Sequence, residues 1–198
     1  MRYRKISVFF KEYPTRLNRV LLVREDVDLF TLGVVILVSM RAMFTHYFMF
    51  KNKKLDFIPE GFYHYFNPQK EDYMTNYHLL DLGNDFTLIY DTGEYYEFSV
   101  SVESQPTDIQ SRKLCFFVSG KGAGIVEDDI TTLTAYFAGE INGEKDDDDH
   151  ETGRYMPWNI KLKKYKDYDN PLRKKTMERL LTVELAFVLN ELEKNKVF

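Results

Sequence analysis

A single cysteine, Cys115, stands among the 198 residues, so no disulfide can form within the chain. Without a recognisable signal peptide, that scarcity leads us to expect a reducing, cytoplasmic setting. Histidine is nearly as scarce. His46, His64, His78 and His150 are the four, and none is spaced from Cys115 or from another histidine as zinc sites are. The apolar run from Leu29 to Met40 is too short to cross a bilayer and is bracketed by Arg24 and Arg41. It reads as a core element, and no membrane partner is expected. Positive charge is in deficit: 27 Lys and Arg against 31 Asp and Glu, a net charge of −4. A general nucleic-acid binder would be basic, so nucleic acid is not the expected partner. The glycines of Gly120-Lys121-Gly122-Ala123-Gly124 lack the second Gly-Lys-Ser/Thr of a phosphate loop. That stretch reads as a flexible connector.

What the chain does have is aromatic side chains and alternation. Its 14 Tyr and 16 Phe suit a sheet core. From Tyr96 to Val102, Tyr96, Phe98, Val100 and Val102 point one way and Glu97, Ser99 and Ser101 the other, the period of a half-buried antiparallel strand. Phe86 to Tyr90 precedes it, and Asp91-Thr92-Gly93 is the expected turn, with Gly93 taking a left-handed conformation. Tyr3 to Phe10 and Arg19 to Val23 predict a first pair of strands. Asp26 or Asp28 caps a helix running to about Arg41. His46 to Phe50 and Leu55 to Ile58 predict strands, and Pro59 to Asn76 a long loop. Ser104 to Ser111 reads as a polar loop and Leu114 to Val118 as a strand. Asp128 to Phe137 reads as a short helix stopped by Gly139. An acidic loop, Glu144 to Glu151, precedes the basic stretch Lys161 to Lys166. A long helix starting at Pro171 carries Met177, Leu181, Leu185, Val188 and Leu192 on one stripe.

The fold expected from this order is α+β: one domain over residues 1–198, a mostly antiparallel sheet or partly open barrel. A helix follows the second strand, and a long helix closes the chain. Within it, residues 3–140 form the core, 141–160 an acidic loop and connector, and 161–198 the basic stretch and terminal helix.

Local chemistry accounts separately for each acidic candidate. Asp91 builds a turn, Glu94 and Glu97 face solvent, and Asp128 caps a helix. On that reading no catalytic, cofactor-binding or metal-ligating residue is assigned, and no cofactor or divalent-metal requirement is expected. Carboxylates converging within reach of one ion would change that conclusion.

Four stretches carry a family resemblance. Tyr90-Asp91-Thr92-Gly93-Glu94-Tyr95-Tyr96 is similar to the Y-D-F-G-D-x-W hairpin of the Ri-plasmid ORF-three-like family, also an insertion-element passenger family. Asp26-Val27-Asp28-Leu29 opens a helix as that family does. Thr45-His46-Tyr47-Phe48-Met49-Phe50 resembles its s-H-L-y-e-F strand. Cys115 through Asp128, with Gly120, Glu127 and Asp128, resembles its C-x-x-G … P-P-E-D segment. Tyr96 replaces the family's Trp, Phe98 its His, and Ile125 and Val126 its paired prolines. The resemblance spans residues 3–140 and implies a fold and a mobile-element setting but no chemistry. It directs attention to His46, Asp91, Glu94, Tyr96, Glu127 and Asp128 as a candidate functional surface. The function expected is a non-enzymatic protein-interaction module of a plasmid, phage or insertion element, with another protein as partner. The alternatives are an acidic inhibitor of a host nucleic-acid-processing or defence system, and a metal-dependent hydrolase or nuclease.

Overall fold

The computed structural model describes residues 1–52, 56–58, 72–140 and 172–195. The acidic loop, the basic stretch, Pro171, His64 and His150 lie outside the described residues, as does most of the long loop expected from Pro59.

The first strands form as their alternation requires. β1 (Arg2–Phe10) and β2 (Asn18–Arg24) pair antiparallel, and Ile6, Val8, Leu21 and Val23 face the core. α1 (Leu29–Ser39) follows, with the Asp28 carboxylate accepting from Thr31 N at 2.6 Å as its N-cap. Val34, Val35, Ile36, Leu37 and Val38 are all fully buried. Packing on every side explains why a β-branched run stays helical against its propensity.

The remaining strands are β3 (Phe48–Lys51), β4 (Asp56–Ile58), β5 (Asp72–Tyr73), β6 (Asp85–Tyr90), β7 (Tyr96–Val102), β8 (Thr107–Asp108) and β9 (Cys115–Lys121). They form one sheet in the order β5-β4-β3-β6-β7-β1-β2-β9, with β8 against the start of β1. Only β4 and β5 pair parallel. α2 (Ile130–Ala138) ends at Gly139 in the left-handed conformation. The terminal helix consists of α3 (Lys174–Arg179), a π-turn over Leu180–Glu184, and α4 (Leu185–Asn195). Its stripe of Met177, Leu181, Leu185, Val188 and Leu192 is buried, and it packs on α1 and β9.

Four local expectations are corrected. Residues 72–76, expected in a loop, form β5 and a 3-10 turn, and Thr107–Asp108 is a short strand inside a stretch expected to be a loop. Gly93 is not left-handed; Asp91 (φ 56°) and Tyr95 (φ 64°) are, so the β6–β7 connection is a five-residue loop. The connector after Val118 is not loose either. Ser119 to Lys121 continues β9. A Cβ on Gly124, at φ +156°, would sit 2.3 Å from Met40 O. Arg19 explains this tight approach. It faces the core of β2, fully buried, and its guanidinium donates to Asn18 O (2.7 Å), Ser39 O (2.8 Å), Lys121 O (2.5 Å) and Ala123 O (3.2 Å). A cation against the Ser39 carbonyl at the end of α1 also complements the helix dipole. Residues 122–125 are thereby fixed beside α1, and Ile125 N donates to Met40 O at 2.9 Å.

Candidate functional site

Three chain segments meet beside the β6–β7 loop. The first is the lead-in to β3. The β3–β6 ladder pairs Phe48 with Tyr90 and extends one step further, Asp91 N donating to Tyr47 O at 3.0 Å. The strand therefore starts at Phe48, not His46, and His46 lies in irregular backbone beside Asp91.

The second is the loop itself. Tyr90 pairs with Tyr96, and Tyr95 N closes the loop onto Asp91 O. Asp91 accepts from Gly93 N (2.9 Å) and Glu94 N (3.2 Å) through Oδ1, the turn role expected of it. Its Oδ2 points the other way, 3.5 Å from His46 Nε2. The Asp91 side chain is only 4% exposed, and among the described residues no lysine or arginine pairs with it.

The third is the segment leading into α2. Asp128 does not cap that helix. Asp129 does, accepting from Thr132 N at 3.2 Å, while Asp128 takes a left-handed φ of 56° and places Oδ1 2.6 Å from His46 Nε2. Glu94 is half-buried instead of facing solvent freely, and its Oε2 accepts from Ile130 N at 3.1 Å. Tyr96 donates its hydroxyl to Val126 O.

His46, Asp91 and Asp128 thus bring one nitrogen and two carboxylate oxygens within 4.8 Å of one another. Asp91 forms the buried floor, and His46 (35% exposed) and Asp128 (51% exposed) open to solvent. Beside this outer cluster lies a second, inner one, in which Tyr90 is buried and Thr45 exposed. Glu127 Oε1 accepts from Thr45 Oγ1 (2.9 Å) and from the Tyr90 hydroxyl, and Oε2 accepts from Met43 N (3.0 Å). Burial pushes the Glu127 carboxyl above its usual range, while the bonds from Tyr90, Met43 and Thr45 and the nearby His46 pull the other way. Burial and the Glu127 charge drive the Tyr90 phenol well above its own range.

All six candidates from the sequence come together here. His46, Asp91 and Asp128 form the outer cluster, Glu127 the inner one, and Glu94 and Tyr96 anchor the α2 segment to the loop. Thr45 and Tyr90 were missed, although each directly precedes a candidate in the chain. Glu97 stays apart, paired with Lys11 at 2.6 Å. His78 is also elsewhere, capping a 3-10 turn with Asp81. Cys115 is buried on β9. No helix among the described residues is long and apolar enough to cross a membrane.

The outer cluster has the composition of an open cation site. Imidazole nitrogen and carboxylate oxygen ligate zinc and manganese, and a face left to solvent keeps positions for water or substrate. Ligands about 2.1 Å from an ion at right angles stand about 3 Å apart, so the His46–Asp128 contact would open slightly to admit one.

A protein of unknown function from Methanosarcina mazei Go1 has a similar structure, with a TM-score of 0.58 and 16% identity, covering 70% of this chain and 80% of its own. At that identity the likeness shows the fold alone. No curated protein matches the sequence. The family described as plasmid pRiA4b ORF-3-like protein matches residues 3–171, beyond the 3–140 expected from the motifs. Three of the four stretches carrying that resemblance contribute to the site. The chain belongs to the plasmid pRiA4b ORF-3-like protein family.

Proposed function

We propose that this protein binds a divalent cation at His46, Asp91 and Asp128 and acts as a metal-dependent hydrolase. The observation that carries the reading is the convergence of three ligand atoms from three chain segments within 4.8 Å. It replaces the expectation of no metal, which rested on explaining each acidic residue by itself. Two of those explanations fail, since Asp128 is not a cap and Glu94 is not simply solvated. A cation there would act as a Lewis acid and lower the pKa of a bound water. The chain's part is to hold the ion on one buried and one exposed carboxylate and to leave its outer side open.

Titration calorimetry with Mn²⁺, Zn²⁺ and Mg²⁺ tests the binding, and a screen of chromogenic phosphate, ester and amide substrates tests the activity. The reading expects micromolar binding of a transition metal and turnover, both lost in Asp128→Asn. Binding no tighter than roughly millimolar, the weak end of protein cation sites, overturns it.

The interaction-module reading keeps one supporting observation. Val183 and Phe187, one turn apart on the terminal helix, are 54% and 45% exposed. Apolar side chains on one helical face suit a protein partner. The mobile-element setting is a proposal that rests on the family resemblance. The inhibitor reading draws on the acidic loop and gains no support from the described residues.

A further inference from the structure

Each ligand of the outer cluster is immediately preceded in sequence by a member of the inner one: Thr45 before His46, Tyr90 before Asp91, Glu127 before Asp128. The inner three are bonded to one another, with Glu127 Oε1 accepting from both Thr45 Oγ1 and the Tyr90 hydroxyl. Glu127 Oε2 adds a bond to Met43 N at 3.0 Å, in the segment that carries His46. One carboxylate therefore ties together the three segments that bear the ligands, one residue away from each ligand.

We propose that Thr45, Tyr90 and Glu127 are positioning residues that set the spacing of the cation ligands; this rests on the metal reading above. The outer ligands need such support. Two of them, His46 and Asp128, are partly exposed, and a metal tolerates ligand distances only within about 0.2 Å. Asp128 sits on a left-handed backbone that a non-glycine residue adopts only when held. The inner bonds supply that hold without touching the ion. Groups placed this way around ligands typically alter affinity by roughly 10–100-fold when removed.

The test uses the full chain and Mn²⁺ as probe, with affinity measured by calorimetry well below the melting temperature. Asp91→Asn keeps the turn-building oxygen but removes the buried charge, and it reports on the metal reading itself. Thr45→Val and Tyr90→Phe remove one inner bond each while keeping shape. Thr45→Ser restores the hydroxyl. The expected result is tight binding by wild type, none by Asp91→Asn, a roughly 10-fold or greater loss in Thr45→Val and Tyr90→Phe, and recovery to within about threefold in Thr45→Ser. A purely structural role would lower the melting temperature and leave the affinity of the folded protein unchanged. Wild type that fails to bind Mn²⁺ removes the metal reading and this proposal with it. Wild type that binds, with Asp91→Asn silent and both inner variants at wild-type affinity, overturns the positioning role alone. Should Tyr90→Phe fail to fold, Thr45→Val and its rescue decide the matter.

Discussion

Cys115 lies on β9 with its thiol enclosed by the core, and burial pushes its pKa from 9.0 up to about 12, against a smaller opposing effect of the Lys113 charge. The native state therefore holds this proton more tightly than the unfolded chain. The resulting stability is complete below pH 9.0 and is lost as pH rises toward 12. Cys115→Ala should flatten the alkaline limb of a stability-against-pH curve, although the cavity it leaves lowers the whole curve. The wild-type thiol should react with iodoacetamide at pH 8 at least about 100-fold more slowly than in urea, since the thiolate is the nucleophile. Comparable rates would contradict the burial. Glycine positions make a second residue-scale contrast. Gly93→Ala should cost less than Gly124→Ala, because Gly93 has no positive φ and an added Cβ meets, at a tight 3.3 Å, the Asp91 Oδ1 atom. Gly124→Ala should cost more than about 2 kcal/mol, since its Cβ would overlap Met40 O in a conformation that L-residues avoid. Urea melts of the two variants give the comparison directly.

At the scale of elements, α2 separates two adjacent aspartates by role. Asp129 is the cap, so Asp129→Ala should cost about 1 kcal/mol. Asp128 is left-handed and bonded only to His46 among the described residues, so Asp128→Gly should leave stability unchanged or raise it slightly while abolishing cation binding. Equal losses of stability in both variants would mean that the two residues share the cap. The sequence could not separate them, because either aspartate stands at a plausible distance from the first apolar residue of α2. The strands were easier to read. The alternation of β7, and of β1 from Lys5 to Phe10, corresponds to burial residue by residue, since each lies in the sheet with one face against the core. The stripe on the terminal helix was legible for the same reason, and the π-turn within it left no periodic trace. The candidate residues could be picked out of the sequence one by one, but not as a cluster. His46, Asp91 and Asp128 are far apart in the chain, and the β3–β6 register, the five-residue loop and the Arg19 clamp bring those positions together. Thr45 and Tyr90 gave no signal of their own, because a hydroxyl beside a strand is common and its partner, Glu127, is distant in the chain. The tight path of residues 119–124 was also hidden. It depends on Arg19, whose charge reads as surface in a sequence but which fills the core through four carbonyl acceptors.

For the whole molecule, the proposed cation would join parts of the fold distant in sequence: the lead-in to β3, the β6–β7 loop and the segment entering α2. An ion held only by the native state stabilises it by RT ln(1 + [M]/Kd), about 2.7 kcal/mol at a concentration 100 times the Kd. For a domain of this size each kcal/mol moves the midpoint by about 2–4 °C, so saturating Mn²⁺ should raise the melting temperature by about 5–11 °C. The sign of its pH dependence follows from the ligands. Ligands bind a metal in their deprotonated form, so protons compete and the shift should be smaller in acid than at neutral pH. Salt should matter less than acid, because Asp91 is buried and poorly screened. Differential scanning fluorimetry with Mn²⁺ against EDTA, at several pH values, measures all of this on the intact chain. Asp91→Asn provides the control, because it keeps the loop but should lose the shift at every pH. A shift that survives in Asp91→Asn would place the ion elsewhere. No shift in wild type at millimolar Mn²⁺ would leave the three segments joined by hydrogen bonds, among them His46–Asp128 and those of Glu127, Glu94 and Tyr96, and the functional reading would return to the exposed face of the terminal helix.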